Sequence, residues 1–308
     1  RRPLATLPSM YANTSLHRIA ANGITLNARI SDERSKPPLL LLHGHPQTHL
    51  IWHRVAPKLA EHFTLVAVDL RGYGDSDKPA SDASVNHAPY SKRVMAQDMV
   101  SVMQTLGFAR FTVLAHDRGA RVTHRMLVDH PTVVERATLL DISPTLAMYE
   151  QTNMEFARAY FHWFFLIQRE PLPETMIEAN PEFFIEKMMG NRHAGLAAFA
   201  PEALAEYRRC IHLPGIAHAI CEDYRAAATI DLEHDRADRD AGRKVMQPLQ
   251  VLWGENGVIE KCFKPLEDWS RVAVNVRGGS VPCGHYIPEE APEALLAAAL
   301  PFLLGHSL

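Results

Sequence analysis

The chain has 308 residues, of which 47% are hydrophobic and 22% are charged, and its formal net charge is -3. This composition can bury a large core and differs from that of disordered, fibrous or disulfide-stapled proteins. The lysines and arginines are scattered along the sequence, so we expect neither a nucleic acid nor a membrane as a partner.

The cysteines and the opening segment indicate a cytoplasmic location. Arg1 to Met10 contains two prolines and lacks the apolar core of a signal peptide, and nowhere do roughly eighteen apolar residues run together. The four cysteines are widely spaced, as is typical of reduced thiols: Cys210, Cys221, Cys262 and Cys283. We therefore expect neither export nor a membrane span.

The first predicted elements form an antiparallel hairpin. Residues His17 to Ala20 and Ile24 to Ile30 flank the dipeptide Asn22-Gly23, which is typical of a tight hairpin turn. Short apolar runs then predict buried strands at Leu39 to Leu42, Thr64 to Val68, Phe111 to Ala115, Ala137 to Leu140, Leu249 to Trp253 and Val272 to Val276.

Helical stretches alternate with these strands. They cover Ser91 to Leu106, Ala120 to Asp129 and Pro292 to Leu304. The alternation predicts an α/β fold with a mostly parallel sheet covered by helices on both faces.

The stretch 144–244 has a different character, with many aromatic residues, several prolines and no clear strand. We predict a helical cap here, inserted into a core made of residues 1–143 and 245–308. Because the cap falls between two core strands, it should lie over the carboxyl edge of the sheet, where such folds bind ligands.

A nucleophile motif follows the third core strand. The sequence His116-Asp117-Arg118-Gly119-Ala120 leads from a strand into a helix with the spacing of a nucleophile elbow, although Ala115 stands where glycine is commoner. Asp117 occupies the nucleophile position. The helix N-terminus and the adjacent Arg118 favour its ionised form.

A carboxylate nucleophile restricts the chemistry. Attack on an acyl carbon would give an anhydride, whereas displacement at a saturated carbon gives an ester that water can hydrolyse. The expected leaving group is a halide or the oxygen of an opened epoxide. A simple helix-capping role is the structural alternative for Asp117.

The other triad members are predicted from their order along the chain. His285 lies between the last strand and the last helix and is the expected base for the hydrolytic water. Asp141, at the end of the strand Ala137 to Leu140, is the expected partner that orients His285, and Glu255 is the alternative.

The segment after the first core strand, His43-Gly44-His45-Pro46-Gln47, is placed to supply an oxyanion hole. We assign its two donors to the backbone amides of His45 and Arg118. His45, His49 and His53 recur at helical spacing, so a zinc site is an alternative, but no acidic residue is adjacent and we expect no metal.

Two arginines follow the nucleophile on the first turn of the helix. Arg118 and Arg121 are three residues apart and can project towards the same region. Guanidinium groups match carboxylates in bidentate geometry, so this pair indicates an anionic substrate, although ordinary salt bridges would also explain it.

Several motifs together resemble those of the fluoroacetate dehalogenases, a family with the α/β-hydrolase fold. They are His43-Gly44-x-Pro46-Gln47, His116-Asp117-Arg118-Gly119-Ala120-Arg121, His162-Trp163 and Cys221-Glu222-Asp223-Tyr224-Arg225. The similarity covers nearly the whole chain. It departs from the family at His45, where Phe is usual, and around Met188 to Gly195.

The resemblance implies a reaction and a set of roles. Asp117 would attack the α-carbon of a haloacetate, and Arg118 and Arg121 would hold its carboxylate. The departing halide would receive hydrogen bonds from His162, Trp163 and Tyr224. The resemblance also implies a homodimer and no cofactor, with a small haloacid and water as the substrates.

Three other classes of protein share parts of this pattern. Epoxide hydrolases have the same Asp elbow but need tyrosines to protonate the opened oxygen, for which Tyr149, Tyr160 and Tyr224 are available. Haloalkane dehalogenases act on uncharged substrates and would not need the arginine pair. A non-catalytic receptor with the same fold would not need a triad.

Overall fold

The computed structural model describes residues 10–306, so the segment Arg1 to Ser9 at the start of the chain lies outside the described residues. Within them the strands are β1 (Thr14–Ala21), β2 (Ile24–Ser31), β3 (Pro38–Leu42), β4 (Thr64–Val68), β5 (Phe111–His116), β6 (Val134–Leu140), β7 (Leu249–Gly254) and β8 (Val276–Val281). They form one sheet in the order β1-β2-β4-β3-β5-β6-β7-β8.

The sheet is parallel from β4 to β8, and β1 and β2 pair antiparallel at one edge. The central strands are buried along their whole length, as their uninterrupted apolar sequences predict. The predicted hairpin is present, since Asn22 and Gly23 both adopt positive φ between β1 and β2.

The strand predicted at Val272 to Val276 is wrong in its position, because β8 begins only at Val276. Its sequence, VRGGSV, has no apolar run because an edge strand is only partly buried. A Cβ at Gly278 would lie 1.7 Å from the carbonyl oxygen of Val251, so close strand packing, rather than apolar character, selects the glycine.

Helices surround the sheet and fill the segment between β6 and β7. Those outside that segment are α1 (Ala56–Ala60), α2 (Lys92–Thr105), α3 (Arg118–Asp129), α12 (Val258–Cys262), α13 (Pro265–Ser270), α14 (Ile287–Glu290) and α15 (Pro292–Leu303). Those between β6 and β7 are α4 (Thr145–Glu150), α5 (Met154–Ala159), α6 (Phe161–Phe165), α7 (Leu172–Ala179), α8 (Pro181–Gly190), α9 (Pro201–Ile211), α10 (Ile216–Ala227) and α11 (Ile230–Ala241).

The residues from 144 to 244, hereafter the insertion, contain helices and no strand. Tyr160 and Asp223 of the insertion contact His285 and Arg118, which follow strands of the sheet. The insertion therefore lies over the carboxyl edge of the sheet. Among the described residues, no helix is both long and apolar enough to cross a membrane.

Candidate active site

Asp117 lies on a sharp turn between β5 and α3. Its φ is 49° and its ψ is -117°, a conformation that L-residues rarely adopt. The amide of Gly119 donates to the carbonyl of His43 at 2.8 Å and holds the turn against the neighbouring loop. Glycine is required at this position, because a Cβ on Gly119 would lie only 2.5 Å from that oxygen. Such a strained turn exposes the side chain of its central residue above the sheet.

The carboxylate of Asp117 is buried and held by a backbone amide. Its Oδ2 accepts a hydrogen bond from the amide of His45 at 2.9 Å. Gly44 allows this approach, since a Cβ there would lie 2.6 Å from Oδ2. The amide of His45 therefore lies where the sequence predicted an oxyanion donor, while the structure gives no bond from the Arg118 amide to this carboxylate among the described residues.

The charge on Asp117 is stabilised by its surroundings. Burial disfavours ionisation, but the neighbouring His285 and His116 rings and the two arginines that follow Asp117 outweigh it and hold the pKa of Asp117 well below its ordinary value. The carboxylate is therefore ionised at neutral pH. It needs no base to act as a nucleophile.

His285 and Asp141 are adjacent in the structure although 144 residues separate them in the sequence. The His285 Nδ1 lies 2.5 Å from Asp141 Oδ2, and the other oxygen of Asp141 accepts the Gly254 amide at 2.9 Å. Glu255, the alternative acid, is exposed. The geometry therefore brings Asp141, rather than Glu255, to the histidine.

Arg118 is fully buried beneath the insertion. Its Nε and Nη2 donate to the two oxygens of Asp223 at 3.1 and 3.0 Å, and its Cζ lies 3.9 Å from the centroid of the Tyr224 ring. Burial lowers the pKa of Arg118, but the Asp223 carboxylate raises it above the ordinary value. The remaining nitrogen, Nη1, has no partner among the described residues.

Arg121 is buried beside Arg118. Its Nη1 donates to the Ser143 carbonyl and the Thr145 hydroxyl, each at 3.0 Å, and its Cζ lies 4.7 Å from the Trp163 ring centroid. Burial, followed by the charge of Arg118, lowers the pKa of Arg121 to about 10, so it is still a cation at neutral pH. Its Nε has no partner within residues 10–306.

The predicted halide-binding residues form one aromatic cluster. The Tyr224 ring lies 5.8 Å from His162 and 6.4 Å from Trp163, measured between centroids. Trp163 Nε1 and the Tyr224 hydroxyl are buried without a partner in the described part of the chain. Burial, with the charge of Arg192, lowers the pKa of His162 well below its ordinary value, so its ring is neutral.

The three histidines considered for zinc do not converge. His45 lies in the aromatic cluster, 5.9 Å from His162 between ring centroids, whereas His49 Nδ1 bonds to Asp69 at 2.8 Å. Only a short 3-10 helix, His49–Trp52, forms where helical spacing of the three histidines was expected. Burial lowers the pKa of His45 to about 3, so this replacement for the usual Phe is uncharged.

Two further residues lie beside the site but were not singled out in the sequence. Asp223 orients Arg118, and Arg192 lines a cavity that reaches His162 and His285. Asp223 belongs to a motif that was recognised in the sequence, but no role was assigned to it there. Arg192 lay in the part of the chain that matches the family weakly, so no sequence signal pointed to it.

Comparison with known proteins agrees with this architecture. Residues 37–257 match the family described as α/β hydrolase fold. A protein from Nostoc sp. PCC 7120 described as an α/β hydrolase is 51% identical, with a TM-score of 0.91 over 96% of this chain and 99% of that chain. The chain belongs to the α/β-hydrolase superfamily and is a hydrolase.

Within that superfamily the chain is 42% identical to a fluoroacetate dehalogenase from Burkholderia sp. over 92% of each sequence. It is also 33% identical to a soluble epoxide hydrolase from Corynebacterium sp. over 86% of this chain and 89% of the relative. The resemblance to fluoroacetate dehalogenases predicted from the motifs is therefore confirmed.

Proposed function

We propose that the protein hydrolyses a small haloacid, fluoroacetate or a related haloacetate, to the hydroxyacid through an ester on Asp117. In this proposal Arg118 and Arg121 bind the carboxylate, and His162, Trp163 and Tyr224 bind the leaving halide. His285, oriented by Asp141, activates water, and the insertion acts as a cap.

One observation carries this proposal: buried hydrogen-bond donors around Asp117 have no partner among the described residues. They are Arg118 Nη1, Arg121 Nε, Trp163 Nε1 and the Tyr224 hydroxyl. Donors buried without partners are costly, so such a cluster is expected where a ligand supplies acceptors. Two guanidinium groups suit a carboxylate, and the neutral donors suit a halide.

The first step is displacement at the α-carbon. Oδ2 of Asp117 accepts the His45 amide, which leaves Oδ1 to attack. A bond forms between Oδ1 and the α-carbon as the carbon–halogen bond breaks, and the halide leaves with the electron pair. Fluoride is small and strongly hydrated, so hydrogen bonds from three donors in a dry pocket would replace part of its lost hydration.

The second step is hydrolysis of the ester. His285 takes a proton from water, whose oxygen attacks Cγ of Asp117, and the bond between Cγ and Oδ1 breaks. The leaving oxygen takes that proton from His285 to give the hydroxyacid, and the acid left on Asp117 ionises and releases a proton. The hydrogen bond from the His45 amide to Oδ2 supports this step, because it would stabilise the negative charge that develops on that oxygen. Asp141 stabilises the protonated His285 and fixes its tautomer.

The proposal is tested by halide release from fluoroacetate and chloroacetate. We expect wild-type protein to release halide, Asp117→Asn protein to release none, and the matched control Asp240→Asn, a change at an exposed aspartate, to behave as wild type. Equal release by wild type and Asp117→Asn would refute the nucleophile assignment. No release from either acid by wild-type protein would refute the haloacid substrate.

Epoxide hydrolysis is the second candidate. It is favoured by the Tyr149 and Tyr224 hydroxyls, which are buried without a partner in residues 10–306 and could protonate an opened epoxide oxygen. It does not account for the buried pair Arg118 and Arg121. Diol formation from styrene oxide, with no halide release from either acid, would favour it.

The family resemblance predicts that the protein forms a homodimer, and this stays a prediction. Sedimentation equilibrium of the purified protein tests it, and a monomer at micromolar concentration would contradict it.

A further inference from the structure

The cavity that leads to the proposed active site has an uneven distribution of charge. It has a volume of about 910 Å³ and reaches His162 and His285. Its wall has four cationic side chains and one carboxylate: Arg158, Lys187, Arg192, Lys261 and Glu155. Lys261 forms an ion pair with Glu155 at 3.0 Å, while the other three cations have no ion pair within residues 10–306. The cavity therefore favours anions.

Arg192 is the least exposed of the four cations that line the cavity. Arg158 and Lys187 are exposed, whereas Arg192 is partly buried, with its Cζ 4.5 Å from the centroid of the Tyr160 ring. The Tyr160 hydroxyl lies in turn 3.4 Å from His285 Nδ1. Arg192 thus borders the cavity and packs against a ring whose hydroxyl contacts the proposed catalytic histidine.

The segment that carries Arg192 contacts the loop of His285. A Cβ on Gly284 would lie 2.8 Å from the Cβ of His193, so the glycine allows this close approach. The charge of Arg192 also acts on His162, where it adds to burial in lowering the pKa. Arg192 is therefore close to His162, and its neighbour His193 contacts the loop of His285.

A guanidinium in this position is suited to a ligand carboxylate. It has no carboxylate partner among the described residues, and a partly desolvated cation is stabilised by an anion that it binds through two hydrogen bonds. A cavity of this volume also takes ligands larger than a haloacetate.

The proposed reaction leaves the two hydrogen positions on the α-carbon available for a larger substrate. Arg118 and Arg121 hold the first carboxylate, the aromatic cluster holds the halide, and Asp117 attacks opposite the halide. A further substituent on the α-carbon is then left to extend towards the cavity, where Arg192 lies.

We propose that Arg192 binds a second carboxylate and that the site prefers 2-halo dicarboxylic acids, such as 2-chlorosuccinate, to 2-halo acids with an apolar tail. This inference rests on the proposed dehalogenation. Asp117 Oδ1 bonds to the α-carbon, chloride leaves with the electron pair, and water hydrolyses the ester to 2-hydroxysuccinate and a proton. The second carboxylate takes no part in the bond changes.

Steady-state chloride release tests this preference. The substrates are 2-chlorosuccinate, 2-chlorobutanoate and chloroacetate, and the proteins are wild type, Arg192→Gln and the matched control Arg158→Gln, an exposed arginine on the same cavity. We expect Arg192→Gln to lower kcat/KM for 2-chlorosuccinate about tenfold or more, the scale of one lost charge-assisted hydrogen bond. Chloroacetate and 2-chlorobutanoate should change less than about threefold, and Arg158→Gln should resemble wild type.

Two results would overturn the inference. One is a wild-type preference for 2-chlorobutanoate over 2-chlorosuccinate, and the other is an equal loss on all three substrates in Arg192→Gln. In both cases chloroacetate turnover by wild-type protein would leave the proposed function standing.

Calorimetry with succinate and butanoate tests Arg192 even if no haloacid is turned over. Wild-type protein should bind succinate about tenfold or more tightly than butanoate, and Arg192→Gln should lose that difference. Equal affinity for the two acids in wild-type protein would overturn the inference.

Discussion

At the scale of single residues, the two oxygens of Asp117 have different surroundings. Oδ2 accepts the His45 amide, and no such bond holds Oδ1 among the described residues. Because neighbouring charges hold the pKa of Asp117 low, the first step needs no proton transfer. In the mechanism that we propose, His285 is then free to serve the second step, in which water must lose a proton.

The ester mechanism predicts where the oxygen of water goes. In a single turnover of chloroacetate in heavy-oxygen water, we expect the label in the side chain of Asp117, because water attacks Cγ and the product leaves with the original Oδ1. Mass spectrometry of the peptide containing Asp117 measures the label. Label found only in the hydroxyacid would show direct attack of water on the substrate.

The residues that could be predicted from the sequence are those with a fixed local signature. Asp117 follows a strand with elbow spacing, and His285 has a characteristic place in chain order. Arg192 and Asp223 contact residues distant in the chain, so spacing alone gives no signal for them. The uncharged state of His45 likewise depends on its burial, which only the folded chain defines.

At the scale of elements, α10 connects the insertion to the core through several contacts. Besides Asp223 and Tyr224 it carries His218, whose Nε2 lies 2.8 Å from the carbonyl of Ser81 and whose Nδ1 lies 3.1 Å from Glu174 of α7. Both ring nitrogens can donate when the imidazole is protonated. The hydrogen bond with Glu174 raises the pKa of His218 to about 9.

This contact predicts a pH-dependent stability. A folded pKa above the unfolded value means that the contribution of His218 is complete below about pH 6.5 and is lost as the pH rises through about 9. We expect His218→Gln to be less stable than wild type by about 1 to 2 kcal/mol at pH 6, and the difference to shrink by pH 9.5. Urea denaturation at the two pH values measures it, and a difference that does not change with pH would contradict the pairing.

The sequence predicted elements well where burial alone selects the residues. The buried strands β3, β4, β5 and β7 are found within one residue of their predicted limits at either end. The edge strand β8 was misplaced because it is only partly buried, so its sequence has no apolar run. Gly278 is required there because the neighbouring backbone leaves no room for a Cβ. A search for apolar runs in the sequence cannot detect contacts of this kind between backbones.

At the scale of the whole molecule, a buried ionic cluster joins the insertion to the core. Asp223 of the insertion accepts hydrogen bonds from Arg118 and, at 2.6 Å, from the Tyr73 hydroxyl, and it pairs with Lys92 of α2. Burial raises the pKa of Asp223, but Arg118 and Lys92 together outweigh it and lower the pKa below its ordinary value, so the carboxylate stays charged. The arginine that we propose to bind substrate is thus oriented by the insertion.

Neutralising Asp223 should therefore affect both the stability and the substrate affinity. We expect Asp223→Asn to lose about 3 to 5 kcal/mol of unfolding free energy, because two buried cations lose their shared counter-charge. In the folded variant Arg118 loses its ionic partner, so KM for chloroacetate should rise about tenfold or more while kcat changes less. Glu186→Gln, which removes a partly exposed ion pair with Arg208 between α8 and α9, is the control and should change neither quantity appreciably. Urea denaturation and steady-state chloride release measure the two effects, and a stability loss with an unchanged KM would mean that Asp223 holds the insertion to the core without orienting Arg118 for the substrate.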